Sequence, residues 1–456
     1  MASKSKRLGQ NTEIQNKTIQ RIGYLSIFTF LIKLLIIWRI SNITISQVQG
    51  HIWLGADGEN YLKGVDSLIS DGLFSRADIL NYWPAGYPIL IYLFSFFGKT
   101  WALTLLSIFQ SFIFSFSVYI LAKELFLSRL RKFTLLIFIL ITFNPTLSLN
   151  SMAVGYESLS AAGFILIFAL IIRDLRNRNR ISAILALSIS SIILAILSFM
   201  QPRFLLTAIL IISIWAFSRW NWKKAMAVFV IGSFIVGISP ISLIYRNHVA
   251  TGLNVISTNL GVTMNIGAGE TTGGYINNPP GVPCEISATR KDQVDNQKVK
   301  CVLRWYLENP VKTLKLFYNK TIYFWSPWFG PEANGTMARN PWLTIHPFKS
   351  MTKTQEGVSL LYGTFGKLIS WIWLLVGIFL VLYGFAFLWK QKGEIRILAA
   401  LSISIILGSW SVTLISIGDH RFRLPIMGMS LLLQAVAIRA LFSNRKSPMV
   451  QPLTLR

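Results

Sequence analysis

Several stretches of about twenty consecutive, mostly apolar residues recur along this chain, and they constrain its fold more than anything else in it. About twenty such residues are what a helix needs to cross the hydrocarbon of a bilayer. A chain in lipid must satisfy its backbone polar groups within itself, so stretches of this kind are read as spanning helices. Charged residues make up 14% of the chain and apolar ones 53%. A soluble domain carries about a quarter charged residues. Ten spanning helices are expected, near 22–44, 100–122, 133–150, 154–172, 181–199, 204–218, 225–245, 367–389, 395–416 and 424–442. The polar, basic start "MASKSKRLGQNTEIQNK" has no small-residue cleavage pattern after the first apolar run, so no cleavable signal peptide is expected.

The basic residues set the orientation. There are 44 Lys and Arg against 18 Asp and Glu, for a net charge of +26. They cluster in short loops such as "KELFLSRLRK" and "RDLRNRNR", as cytoplasmic loops do, so the charge is read as topology and no nucleic-acid partner is expected. Ten spans with both ends inside put every basic cluster on one face. "PAGYPILIYLFSFFG", from Pro84 to Gly98, would invert every later loop if counted as a span, so it is expected to lie on or dip into the outer face. Lys33, within the first span, is expected to face the bundle interior, and Arg39 to reach the outer surface.

On the outer face, "GADGENYLKGVDSLISDGLF" concentrates four acidic residues in a chain with few. From Tyr61 onward, Leu62, Val65, Leu68 and Ile69 recur at helical spacing and predict a short amphipathic helix. Asp57 stands at its N-cap, a position that favours Asp for reasons unrelated to catalysis. Other outer turns add Glu157, Arg203, Arg246 and the run His420, Arg421, Arg423. Several carboxylates and arginines at one membrane face suit chemistry on a phosphate-bearing substrate. The guanidinium fork binds phosphate oxygens bidentately, and a carboxylate accepts a proton from a hydroxyl. No P-loop, G-x-S-x-G, zinc-type or dinucleotide-binding motif is present.

In this order the segments resemble the GT-C glycosyltransferases, in the branch of protein O-mannosyltransferases and lipid A aminoarabinose transferases. "ADGENYLKGVDSLISDGLF" resembles their acidic first loop, and "YWPAGYPILIYLFSFFG" their Pro-Gly-Tyr-Pro segment. "YESLSAAGFILIFAL" is similar to the span that opens on an acidic residue. "YRNHVATGLNVISTNLGVTMNIGAG", "NPVKTLKLFYNKTIYFW" and "GDHRFRLPIMGMSLLL" resemble the large outer loop, its amphipathic helix, and the last outer loop. The resemblance implies an all-α, polytopic GT-C architecture with outer juxtamembrane helices and one large extracytoplasmic loop. It also implies transfer of a sugar from a polyprenyl-phosphate donor to a glycan, lipid or protein acceptor, outside a bacterial plasma membrane and with inversion. By match, Asp57 is the expected general base and Glu157 its helper. Arg421 and Arg423 are the expected phosphate ligands, with Arg203, Arg246, His420 and Tyr61 as further substrate contacts. The family often has two adjacent acids in the first loop. Here Gly58 separates Asp57 from Glu59, so Glu59 remains a second candidate for the base. No cofactor is implied with certainty, and a divalent metal stays open.

The chain divides into a transmembrane module, residues 1–245, holding a first outer loop at 46–99; an outer loop region, 246–366; and C-terminal helices with a tail, 367–456. Cys284 and Cys301 fall in the outer loop region, where a disulfide fits an oxidising compartment, although two free thiols would read the same. Trp325 and Trp328 there are candidate sugar-stacking surfaces. A transporter or lipid flippase is the alternative class, which would ordinarily show two related halves; none is visible.

Overall fold

A computed structural model of the chain describes residues 2–44, 57–98, 101–270, 273–274, 281–325 and 363–442. Every secondary-structure element among them is helical. The first half holds α1 (Ala2–Thr44), α2 (Gly58–Asp71), α3 (Ile79–Tyr82), α4 (Gly86–Ser95), α5 (Ala102–Leu127), α6 (Thr134–Thr142), α7 (Pro145–Leu149), α8 (Tyr156–Asn177), α9 (Arg180–Met200), α10 (Phe204–Arg219) and α11 (Trp222–Thr251). The segment between α11 and the later helices contributes α12 (Leu260–Ile266), α13 (Lys291–Glu308) and α14 (Pro310–Trp325). The remainder is α15 (Gly363–Trp389), α16 (Glu394–Ile415), a 3₁₀ segment (His420–Ile426) and α17 (Met427–Phe442).

Among the described residues, eight helices are long and apolar enough to cross a membrane, or nine with one bent pair. The chain is an all-α, multi-span membrane protein. Two of the ten expected spans differ from the expectation. The segment near 133–150 is not one helix: Arg131–Thr142 and Thr146–Met152 meet at 60°. Pro145 explains the break, since a residue before proline is driven to extended backbone and proline carries no N–H. Asn144 is indeed extended, and its side chain caps α7 by accepting from the Leu147 N–H. The other, α10, has 16 residues and reaches about 24 Å, short of the roughly 30 Å of hydrocarbon. Two helices overrun expectation. α1 starts at Ala2, and α11 runs past 245 to Thr251, where Gly252 closes it at φ 73°.

α8 lies at the centre, the most enclosed of the spans, packed between α5 and α9 and against the 3₁₀ segment at His420–Ile426. Lys33 of α1 points into the bundle as expected, with Nζ donating to Ser151 Oγ at 3.0 Å beside the Phe114 ring. The side chain of Arg39 lies outside the described residues.

The expected amphipathic helix is α2, which buries Tyr61, Val65 and Leu68. It rests on α4, the helix formed by the "PAGYP" segment. With ten residues α4 is too short to span. Gly86 lets it approach the end of α9: a Cβ there would sit 1.9 Å from the Phe199 carbonyl oxygen. α12, α13 and α14 enclose a small core around Met264, Val302, Tyr306 and Leu316. Cys284 and Cys301 form a disulfide beside it, with Cα atoms 6.0 Å apart. Trp328 lies outside the described residues.

Two outcomes follow. Gly86→Ala forces backbone apart and is expected to cost about 1–3 kcal/mol of stability, read as a lower unfolding temperature in detergent; an unchanged temperature would refute the close packing. Thiol labelling of the unreduced, denatured chain is expected to find no free cysteine, and Cys284→Ser with Cys301→Ser to lower the unfolding temperature, by about 3 kcal/mol on loop entropy for a closure of this length.

Candidate active site

Three segments far apart in sequence meet at one end of the bundle. The first is the start of α2, which carries Asp57. Its carboxylate does not cap the helix: no side-chain hydrogen bond to the first turn forms. Asp57 Oδ2 instead lies 2.7 Å from Arg421 Nη1. The second segment is the first turn of α8, where Glu157 Oε1 accepts from Arg421 Nε. The third is the 3₁₀ segment that carries Arg421. One guanidinium from the C-terminal part of the chain is therefore gripped by two carboxylates that stand 100 residues apart in its first half. The Arg421 side chain is 3% exposed and that of Asp57 11%, so these charges sit largely out of water, where only pairing of this kind makes them tolerable. Among the described residues, Asp57 Oδ1 and Glu157 Oε2 take no hydrogen bond and are not fully sealed.

Each member is held by neutral scaffolding. Glu157 follows a turn fixed by Tyr87 of the "PAGYP" helix. The Tyr87 hydroxyl accepts from the Gly155 N–H at 2.8 Å and donates to Gln110 Oε1 at 2.9 Å. Gln110 in turn donates to the Ala153 carbonyl at 2.8 Å. Tyr61 and Tyr87 meet edge to face with centroids 5.1 Å apart, and Tyr156 closes the cluster. Burial, and after it the negative charge of Asp57, hold the Tyr61 phenol well above its usual range, so it stays a hydrogen-bond donor. Arg421 is oriented from its own backbone: its N–H donates to Asp419 Oδ1 at 2.8 Å.

The loop before Asp419 is pinned from outside by Lys320 of α14. Its Nζ donates to the Leu414 carbonyl (2.9 Å), the Ser416 carbonyl (2.6 Å) and the Tyr306 hydroxyl (3.0 Å). Gly418 packs directly over the Lys320 backbone, 2.7 Å from where a Cβ would stand, and its N–H donates to the Gly274 carbonyl. Lys320, Tyr87, Gln110 and Asp419 escape a reading by charge at helix ends. Their signal is positional only: Tyr87 sits inside "PAGYP" and Lys320 on the buried side of an amphipathic helix.

The other expected residues fall in three groups. Arg203 and Arg423 flank the triad. Arg203 Nη2 donates to the Tyr156 hydroxyl at 2.6 Å, its guanidinium lies 4.0 Å from the centre of the Phe422 ring, and its buried Nε has no hydrogen-bond partner among the described residues. Arg423 Nη1 donates to the Trp325 carbonyl. His420 is buried beside Asp419, with Nδ1 3.4 Å from Oδ1, while its Nε2 has no hydrogen-bond partner among the described residues.

Arg246 does something different from what was expected. Its guanidinium donates to the carbonyls of Leu73, Ser75 and Leu80 and to Asn81 Oδ1 and Asn247 Oδ1. It clamps the loop after α2, and those bonds occupy Nε, Nη1 and one hydrogen of Nη2. Glu59 is exposed on the first turn of α2, away from the buried Asp57, as a two-residue offset on a helix requires. Trp325 is buried beneath Arg423, with 8% of its surface exposed, and offers no open stacking face. Among the described residues, no three His, Cys, Asp or Glu side chains gather closely enough to hold a metal ion.

No family model matches the sequence, and no curated protein matches it. Among solved structures, the chain is similar to the archaeal oligosaccharyltransferase AglB from Archaeoglobus fulgidus, determined with an inhibitory peptide and a dolichol-phosphate. Identity is 14%, the TM-score 0.47, and the match covers 92% of this chain and 50% of that one. The chain thus spans about half the length of the protein it matches.

Asp419 supplies a pH test of the site. Burial, opposed by the Arg421 N–H and by the Arg421 and Arg203 charges, pushes its carboxyl from 3.8 up to about 7. The folded chain thus holds this proton more tightly than the unfolded one. The resulting stabilisation is complete below about 3.8 and lost as pH rises to about 7. Asp419→Asn keeps the capping oxygen but cannot titrate. Wild type is expected to lose unfolding temperature more steeply than this variant between pH 4 and 7; parallel profiles would overturn the assignment.

Proposed function

We propose that this chain is a membrane glycosyltransferase of the GT-C type. It moves a sugar from a polyprenyl-phosphate donor to a hydroxyl of an acceptor outside the cytoplasm, in a bacterial plasma membrane. The observation that carries the reading is the buried Asp57–Arg421–Glu157 arrangement, built from three distant segments and leaving one oxygen of each carboxylate uncommitted. Charged groups inside a membrane protein are costly and mark functional sites. Here they lie at the bundle end occupied by the outer juxtamembrane helices.

In this reading Asp57 Oδ1 takes the proton of the acceptor hydroxyl while that oxygen attacks the anomeric carbon. The bond between that carbon and the phosphate oxygen breaks, and polyprenyl phosphate leaves with the electron pair. One displacement inverts the anomeric centre. The leaving phosphate needs no separate acid of the kind glycosidases use, but its charge needs cations. Arg421 is already shared by two carboxylates, so it serves to aim Asp57 and Glu157. In this reading Arg203, whose buried Nε has no hydrogen-bond partner among the described residues, faces the phosphate, and Arg423 adds positive charge nearby, with Tyr61 donating beside the base. Glu157 Oε2 orients the acceptor. The acceptor class, whether envelope glycan, lipid or protein, is part of what the assay decides.

The test is transfer in proteoliposomes, using radiolabelled polyprenyl-phosphate sugars and a panel of envelope acceptors. Asp57→Asn is expected to lose about 10²–10⁴-fold in turnover, the usual worth of a general base, while still binding donor. Glu59→Gln is expected to stay near wild type, and Arg246→Ala to lose stability before chemistry. Wild-type turnover in Asp57→Asn would remove the base from this reading. Movement of donor across the bilayer without transfer would replace the reading by the flippase class.

A further inference from the structure

The opposite end of α5 and α8 holds a second cluster of charges that the transfer reaction does not use. A cleft of about 180 Å³ opens there, between the last turns of the two helices. A single water needs only about 10–15 Å³. Lys123, Arg173 and Arg176 line it against one carboxylate, Glu124, and Ile120 and Leu170 form its apolar side toward the membrane. Glu124 is 4% exposed and lies 2.9 Å from Arg176 Nη2. Arg176 Nη1 and Glu124 Oε2 are buried without a hydrogen-bond partner among the described residues. Among the described residues, neither Lys123 nor Arg173 makes a hydrogen bond or close ion pair. The nearby Asp174 does not balance them, since it is occupied by Trp215 Nε1 at 3.1 Å and Arg219 Nε at 3.2 Å. Three cations therefore converge on a cleft with one negative charge. Its buried acceptor, Glu124 Oε2, is already 2.9 Å from Arg176 Nη2, while the Arg176 Nη1 donor faces no acceptor among the described residues.

We propose that this cleft binds the phosphate of an anionic lipid headgroup. Glu157 and Arg176 stand on the same helix, nineteen residues and about 28 Å apart, so the cleft meets the leaflet opposite the candidate active site. The basic loops mark that face as cytoplasmic, where anionic lipids attract basic side chains. The cleft is amphipathic in the same sense as a lipid: cations at the helix ends, apolar residues one turn deeper. Glu124 fixes Arg176 and leaves Lys123 and Arg173 to complete the anion site. A soluble phosphate presents the same oxygens, but it has no use for the apolar side.

The test uses the full-length protein in neutral detergent, with phosphatidylglycerol as probe and retained lipid read by native mass spectrometry. Wild type is expected to retain phosphatidylglycerol over phosphatidylcholine. Lys123→Ala with Arg173→Ala is expected to weaken retention about tenfold or more, as two cations near a charged headgroup imply. Lys223→Ala with Lys224→Ala removes two exposed cations of the same face and is expected to change nothing. Glu124→Gln is expected to act in the opposite direction and tighten binding, because it removes the negative charge without emptying the cleft. Wild-type retention in the first double variant would overturn the site, as would equal loss in both double variants. Inorganic phosphate that fails to compete at millimolar concentration assigns the site to lipid; efficient competition keeps the anion site and overturns the lipid.

Discussion

The site depends on one buried guanidinium. Asp57 and Glu157 lie at the starts of two helices that are far apart in the first half of the chain, and both carry charge into a poorly hydrated place. Without a cation between them they would repel, and each would lose hydration for nothing in return. Removing one partner from such a set ordinarily costs about 3–5 kcal/mol. Arg421 suits the position better than lysine would, because its planar fork has separate nitrogens for the two carboxylates: Nη1 for Asp57 and Nε for Glu157.

That geometry explains why so much supporting structure surrounds the three residues. A guanidinium shared by two partners works only if its backbone is fixed. The 3₁₀ segment supplies this through Asp419, and the loop ahead of it is held by three donors of Lys320. The Glu157 side depends on the Tyr87 hydroxyl and Gln110, which turn the chain at Gly155 so that α8 begins with its acid facing inward. Tyr87 can do this only because Gly86 lets its short helix press against the end of α9. The juxtamembrane "PAGYP" segment is thus part of the site without contributing a charge to it.

Much of this was legible in the sequence, and what was not has identifiable causes. Apolar length and basic loops located the helices, because hydrophobicity and charge are additive along a chain. They missed the break at Pro145 and the shortness of α10, which depend on a single residue and on packing. Asp57, Glu157 and Arg421 stood out as rare charges at the ends of apolar runs. The same rule also picked out Arg246, whose guanidinium turned out to be spent on loop carbonyls. A sequence shows that an arginine is near an interface but not which acceptors it meets. Tyr87, Gln110 and Lys320 were missed for the converse reason: a neutral side chain, or a lysine on an amphipathic helix, is indistinguishable from its neighbours until the fold brings its partners within reach.

The distance in sequence between the partners has a consequence for how the protein is made. Glu157 and Arg421 are 264 residues apart, and Asp57 is farther still. A ribosome working at roughly 5–20 residues per second needs about 13–53 s to cover the shorter gap. For that interval the membrane holds a partial bundle whose two acids lack the guanidinium that pairs them. The last spans therefore do more than complete the fold. Their arrival changes the half-built protein from a strained insertion intermediate into a neutralised one. A chain stopped before Arg421 would present a quality-control protease with two unpaired carboxylates at the membrane face.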